Sequence, residues 1–166
     1  IGPDEYHEHV DNNAYTNRFA QWNLQTALEA LEWLQRHAPD RATQLVAQLD
    51  LTDERLAHWR DVIERMHLHV SADGLIEQFD GYFARQDVDL TALEPRTRSV
   101  QEIFGIEGCN ETQVLKQPDV LMLQYLLRDH YSDDQIRVNY AYYNPRTDHT
   151  YGSSLGPSIQ AIMACM

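Results

Sequence analysis

Residues 14–39 read AYTNRFAQWNLQTALEALEWLQRHAP, and the spacing of their apolar side chains decides the fold class. Phe19, Trp22, Leu24, Leu28, Leu31 and Leu34 fall mostly at three- and four-residue steps, which places them along one side of an α-helix. The pattern runs to Gln35–Arg36 and stops at Pro39. Working outward, a short helix is predicted after Asp40, carrying Leu45, Val46 and Leu49. Thr52 is a good N-cap, with Asp53 and Glu54 in the first turn of a third helix. Leu56, Trp59, Ile63 and Met66 make its apolar stripe.

The period changes at HLHVSADGLIEQF, residues 67–79. Apolar and polar residues alternate there, and Asp73–Gly74 is a hairpin signal, so a short two-stranded ribbon is predicted from His67 to Phe79. Residues 80–115 read as loop with a short helix near Val100–Phe104. Pro118 suits the first position of a helix, and Val120, Leu121, Leu123, Leu126 and Leu127 make that helix almost fully buried. Ser132 to Gln135 is a capping box, and its helix ends before Asn144–Pro145. Pro157 opens a last helix. The expected class is all-α with one small hairpin, its helices joined by long polar loops of the kind that carry function.

The chain has 166 residues, the length of one domain or of part of one. Its net charge of −13 repels nucleic acid phosphates and anionic membrane surfaces, so neither is an expected partner. There is no apolar run long enough to span a bilayer. Cys109 and Cys165 form no metal spacing and no disulfide framework, which makes a reducing, cytoplasmic setting the expectation. A start at Ile1 within a turn-rich motif and a stop at Met166 within an apolar run give the expectation of a fragment, truncated at both ends.

Three stretches hold candidate chemistry. The first is IGPDEYHEHVDNNAYTN, residues 1–17. His7 and His9 lack the spacing that puts two ligands on one helix face, and no metal site is assigned. Glu5 follows a Gly-Pro turn among Asp4, Glu8 and Asp11, charges that would raise the pKa of a proton-donating acid. A solvated acidic loop has the same composition. The second holds Ser153 and Ser154, just before the last helix with His149 upstream, where backbone N–H groups, hydroxyls and a ring donor make an anion site or an ordinary N-cap. The third is Lys116–Gln117, at the mouth of a buried helix, which suits sugar hydroxyls or is a surface cation and its neighbour.

GPDEYHEHVDNNAYTN, KQPDVLMLQYLL and YNPRTDHTYGSSLGPSIQAIMA, in that order, resemble the motifs of glycoside hydrolase family 65. That family includes maltose, trehalose and kojibiose phosphorylases. The resemblance implies an (α/α)6 barrel, of which residues 1–166 would be the second half. It implies Glu5 as general acid, Lys116 and Gln117 facing the donor glucose, and His149, Ser153 and Ser154 binding phosphate. The implied reaction is inverting phosphorolysis of an α-linked glucosyl disaccharide, with no cofactor and with inorganic phosphate as co-substrate, giving β-glucose 1-phosphate and a free sugar. The acceptor sugar and a homodimeric assembly are left open. An inverting hydrolase of the same family would need a second carboxylate as base, and Asp148 is the one candidate in that loop. An inactive fragment is a third alternative. Two departures stand out: KQPD replaces the usual KQAD, and Gly156 stands where Ser is expected, which predicts an altered phosphate loop.

Overall fold

A computed structural model describes residues 2–166. Among these the chain forms seven α-helices and four short 3-10 turns. It divides into two compact units, residues 17–67 and residues 2–16 with 68–166.

The first unit is helical throughout. Helix α1 (Ala14–His37) supplies most of it, followed by α2 (Pro39–Gln48) and α3 (Asp53–Arg65). Pro39 ends α1 and also opens α2, where its missing N–H costs no hydrogen bond. Thr52 caps α3 as the sequence indicates, accepting from the Arg55 amide at 3.2 Å. The apolar stripe of α3 is only half-buried, and in residues 17–67 Leu31 and Ala42 alone are buried.

The second unit holds the main core. Helix α4 (Val100–Asn110) starts with a capping box, Ser99 with Glu102, and breaks at Gly105, whose φ of 73° lies in the left-handed region. Helices α5 (Asp119–Leu126), α6 (Asp133–Tyr143) and α7 (Leu155–Ala164) pack on one another. Ile76, Phe79, Tyr82, Leu115, Leu121 and Tyr143 are among the buried residues of that core. Ser132 and Gln135 form the expected capping box of α6.

Three expectations change. The predicted ribbon is a single antiparallel bridge, Val70 with Ile76, not a pair of strands. Asp73–Gly74 does turn the chain, with Gly74 at φ 89°. The two arms still pair, the Glu77 amide donating to His69 O and the Ser71 amide to Leu75 O, both at 2.9 Å, and α6 adds to this: the Asn139 side chain donates to Gly74 O at 2.9 Å and accepts from the Ile76 amide at 3.0 Å. Helix α5 starts one residue after Pro118 and is not buried all round, since Leu126 is half exposed. Helix α7 starts at Leu155, two residues before Pro157.

Candidate active site

Three sequence motifs meet in the second unit. Leu115 and Thr147 form a parallel bridge, with the Leu115 amide donating to Arg146 O and the Asp148 amide to Leu115 O, both at 2.8 Å. This sets Lys116–Gln117 beside the loop that begins at Asp148. The N-terminal motif closes on the same place through Asp4. Its buried carboxylate accepts from the backbone amides of Lys116 at 2.9 Å and Gln117 at 3.1 Å, and from the Gln78 side chain at 3.2 Å.

His7 completes that anchor. Nδ1 lies 2.6 Å from Asp4 Oδ2, and Nε2 lies 2.8 Å from Thr112 O. Both ring nitrogens are engaged by protein oxygens, so His7 acts as a strut rather than a ligand. Among the described residues no group of three or more His, Cys, Asp or Glu side chains is placed to hold a metal ion.

Glu5, next to the anchor, points the other way in character. Its side chain is 63% exposed and forms an ion pair with Lys116 Nζ. Its amide donates to Gln117 Oε1 at 2.9 Å. A hydrogen bond from Lys116, and then the charge of Lys116, hold the Glu5 carboxyl below the usual carboxylate range. The sequence anticipated the opposite direction, from the acidic neighbours. Asp4 is spent on His7 and backbone amides, and the ammonium dominates. A cavity of about 410 Å3 opens beside Glu5, lined also by Gly2, Asp4, His7, Glu8 and His9. That volume is within the range of small-molecule sites, about 300–1,000 Å3.

The loop after Asp148 packs on Lys116 through backbone. A Cβ on Gly152 would lie 2.3 Å from Asp148 O and 3.2 Å from Lys116 O, so only glycine fits this turn. His149 is exposed and its Nε2 donates to Asn144 O at 2.9 Å. Ser154 is the N-cap of α7 and makes no capping hydrogen bond with its side chain, and Ser153 Oγ accepts from the Leu155 amide at 3.3 Å. The two serines thus stand at a helix start with backbone N–H groups nearby. Gly156 belongs to the first turn of that helix, and a Cβ there would meet Thr147 Cγ2 at an ordinary 3.6 Å.

Asp148 is not placed to act as a base. It is fully buried, with Arg96 on both carboxylate oxygens at 2.5 and 3.1 Å. Tyr6 OH donates to Oδ2 at 3.3 Å, and the Thr150 and Tyr151 amides donate to Oδ1. Burial raises the carboxyl, but the hydrogen bonds from Arg96 and the Tyr151 amide, with the Arg96 charge, outweigh it, and the net shift is downward. Arg96 itself was not legible as a site residue. It sits in the short segment between Pro95 and the Ser99 cap, where no period or motif marks it. Asp119, the last residue of KQPD, is also buried beside this anchor and accepts from Asn13 at 3.2 Å. Burial, then the charge of Asp4, push its carboxyl well above the usual range.

Known proteins match this arrangement along the whole chain. A helical unit that brings an acid, a lysine–glutamine pair and a serine-bearing helix start together is part of a carbohydrate-active catalytic domain: residues 1–166 match the model of the Glycosyl hydrolase family 65 central catalytic domain. The chain belongs to glycosyl hydrolase family 65. It is 40% identical over 165 residues to a kojibiose phosphorylase of Caldanaerobacter subterraneus subsp. tengcongensis, covering 98% of this chain and 21% of that protein. It is 36% identical over 170 residues to a nigerose phosphorylase of Lachnoclostridium phytofermentans, covering all of this chain and 22% of that protein. A solved structure, a provisionally named kojibiose phosphorylase from the human microbiome, superposes with a TM-score of 0.85 at 32% identity, over 99% of this chain and 22% of that one. The chain therefore spans about one fifth of the length of the relatives it matches. The all-α class and its assignment to part of an (α/α)6 barrel stand with these matches.

Proposed function

We propose that the protein carrying this chain cleaves an α-linked glucosyl disaccharide with inorganic phosphate, and that Glu5, Lys116, Gln117, His149, Ser153 and Ser154 belong to its active site. One observation carries the reading: the Asp4 anchor sets Glu5 against Lys116 at the same bridge that holds the loop of His149, Ser153 and Ser154. In this scheme Glu5 gives its proton to the glycosidic oxygen, the bond from that oxygen to the anomeric carbon breaks, and a phosphate oxygen attacks that carbon from the opposite face. An α-glucoside then yields β-glucose 1-phosphate and a free sugar. A phosphorylase needs only one carboxyl group, because phosphate brings its own negative charge. The commitment of Asp148 to Arg96 supports this over the hydrolase alternative, which needs a second carboxylate open to water.

The Lys116 pair keeps Glu5 ionised in the ligand-free site, whereas a general acid must hold a proton. Donor-sugar hydroxyls that take the ammonium would free Glu5 from it. A phosphate dianion arriving near the freed carboxyl would raise its pKa further. The acid is thus armed by its own substrates.

The test uses the complete gene product with kojibiose, nigerose, trehalose and maltose, with and without phosphate. Phosphate-dependent release of β-glucose 1-phosphate, seen by NMR, is the expected result. Glu5→Gln should lower kcat by about 10^2- to 10^4-fold, the usual worth of a general acid. Release of free sugars alone at a rate that ignores phosphate would overturn the proposal. The 166-residue chain by itself is expected to show no phosphorolysis.

A further inference from the structure

We infer that Arg96 is a positioning residue for the phosphate-binding segment: it fixes Asp148, and through Asp148 the turn that presents His149 and leads to Ser153 and Ser154. This rests on the phosphorylase reading above. The Arg96 side chain is only 4% exposed, and its guanidinium meets both oxygens of Asp148. Nε donates to Glu94 at 2.8 Å, so donors on all three nitrogens are committed to protein carboxylates. A guanidinium spent in this way does not reach a phosphate. It acts on the loop.

The loop is tied to it from two sides. Asp148 Oδ1 accepts from the Thr150 amide at 3.2 Å and the Tyr151 amide at 3.0 Å, which folds the turn around His149. Tyr151 lies over the guanidinium, with its ring centre 5.5 Å away, and its hydroxyl donates to Arg96 O at 3.2 Å. The Gly152 amide donates to Asp148 O at 3.1 Å, and Ser153 follows directly. A planar fork of donors on a carboxylate fixes orientation as well as distance, which a lysine cannot reproduce. Burying such a pair is weak evidence for stability, and holding a loop in one geometry is the role that this arrangement does serve.

The experiment measures KM for phosphate and for the disaccharide separately, on the complete gene product. Two variants are made: Arg96→Lys, which keeps the charge, and Arg96→Gln with Asp148→Asn, which removes both charges together. Either one, if folded by circular dichroism, suffices. The expected result is a rise of about 10- to 100-fold in KM for phosphate, the cost of about an ångström of misplacement, with KM for the disaccharide within about 2-fold of the wild type. Asp148→Asn, made alone and combined with Arg96→Lys as two further variants, should also fail to add to Arg96→Lys, the double variant being no worse than the worse single one. A phosphate-dependent wild type whose folded variants keep their phosphate KM, or shift both KM values together, overturns this inference alone. A wild-type rate that ignores phosphate overturns the phosphorylase reading, and this inference with it.

Discussion

Residues 17–67 and the unit formed by the rest of the chain use their polar residues in opposite ways. In the helical unit no polar side chain is buried, and its ion pairs, such as Arg65 with Asp61, lie in solvent. In the other unit Asp4, His7, Gln78, Asp119, Asn139 and Asp148 are all buried, and most of them join segments 60 or more residues apart. Local hydrogen bonds along the helix suffice to shape the first. In the second the chain is mostly loop between helices, and buried side chains must satisfy the backbone that no helix or sheet satisfies. That cost falls where the site is built: Asp4 holds the amides of Lys116 and Gln117 in place, and Asp148 those of Thr150 and Tyr151.

The contrast can be broken most directly at its ion pairs. Asp4→Ala leaves His7 and two backbone amides buried without their partner, and should cost about 3–5 kcal/mol. Asp61→Ala removes an exposed partner of Arg65 and should cost under about 1 kcal/mol. Denaturant unfolding of both variants decides it, and equal costs would end the distinction. The apolar residues give the next largest gap. Leu121→Ala, at a fully buried position of α5, is expected to cost about 2–5 kcal/mol. Ile63→Ala, half-buried on α3, should cost about 1 kcal/mol, in proportion to the smaller area covered. Gly152→Ala comes third. Its new methyl group would press on the Asp148 carbonyl, and overpacking of this kind costs about 1–3 kcal/mol. It should also weaken phosphate more than sugar, since the displaced residues belong to the loop of His149.

The same contrast explains what could be read before the structure. Helices α1, α2, α3 and α6 have local signatures, a period, a cap or a proline, so their ends fall within a residue or two of expectation. The ribbon is shorter than expected because alternation alone does not make a long strand: Gly74 and Ile76 also bond to Asn139 on α6, a partner that no local pattern names. Glu5, Lys116, Gln117, His149, Ser153 and Ser154 were named from motif resemblance, and the structure brings their segments together through the Leu115–Thr147 bridge and the Asp4 carboxylate. The direction of the Glu5 shift was not legible, because it depends on an ion pair across 111 residues. Arg96 was invisible for the same reason, with its partner 52 residues away.

The smallest expected effect is in the pH dependence of stability, and it separates the two units by an optical accident. Trp22, Trp33 and Trp59 all lie in residues 17–67, and all nine tyrosines lie outside. Tryptophan emission and tyrosine near-UV signals of the 166-residue chain therefore report different units. In the tyrosine-bearing unit Asp119 has its carboxyl raised, first by burial and then by Asp4. The folded state thus binds this proton more tightly than the unfolded chain, whose carboxyl titrates near about 3.9. Stability from this group is greatest below that value and falls as pH rises through the raised folded value. Asp148, with its carboxyl lowered, works the other way: its contribution is present above about 3.9 and is lost as pH falls through the lowered value. Asp119→Asn removes the first slope and leaves the second. The tyrosine-detected melting temperature of the variant should therefore gain on the wild type as pH rises above about 4, with its acid loss unchanged. The tryptophan-detected transition should show no such gain. A variant that tracks the wild type at every pH would mean that Asp119 titrates in the fold as it does in the open chain, and that its burial beside Asp4 carries no proton.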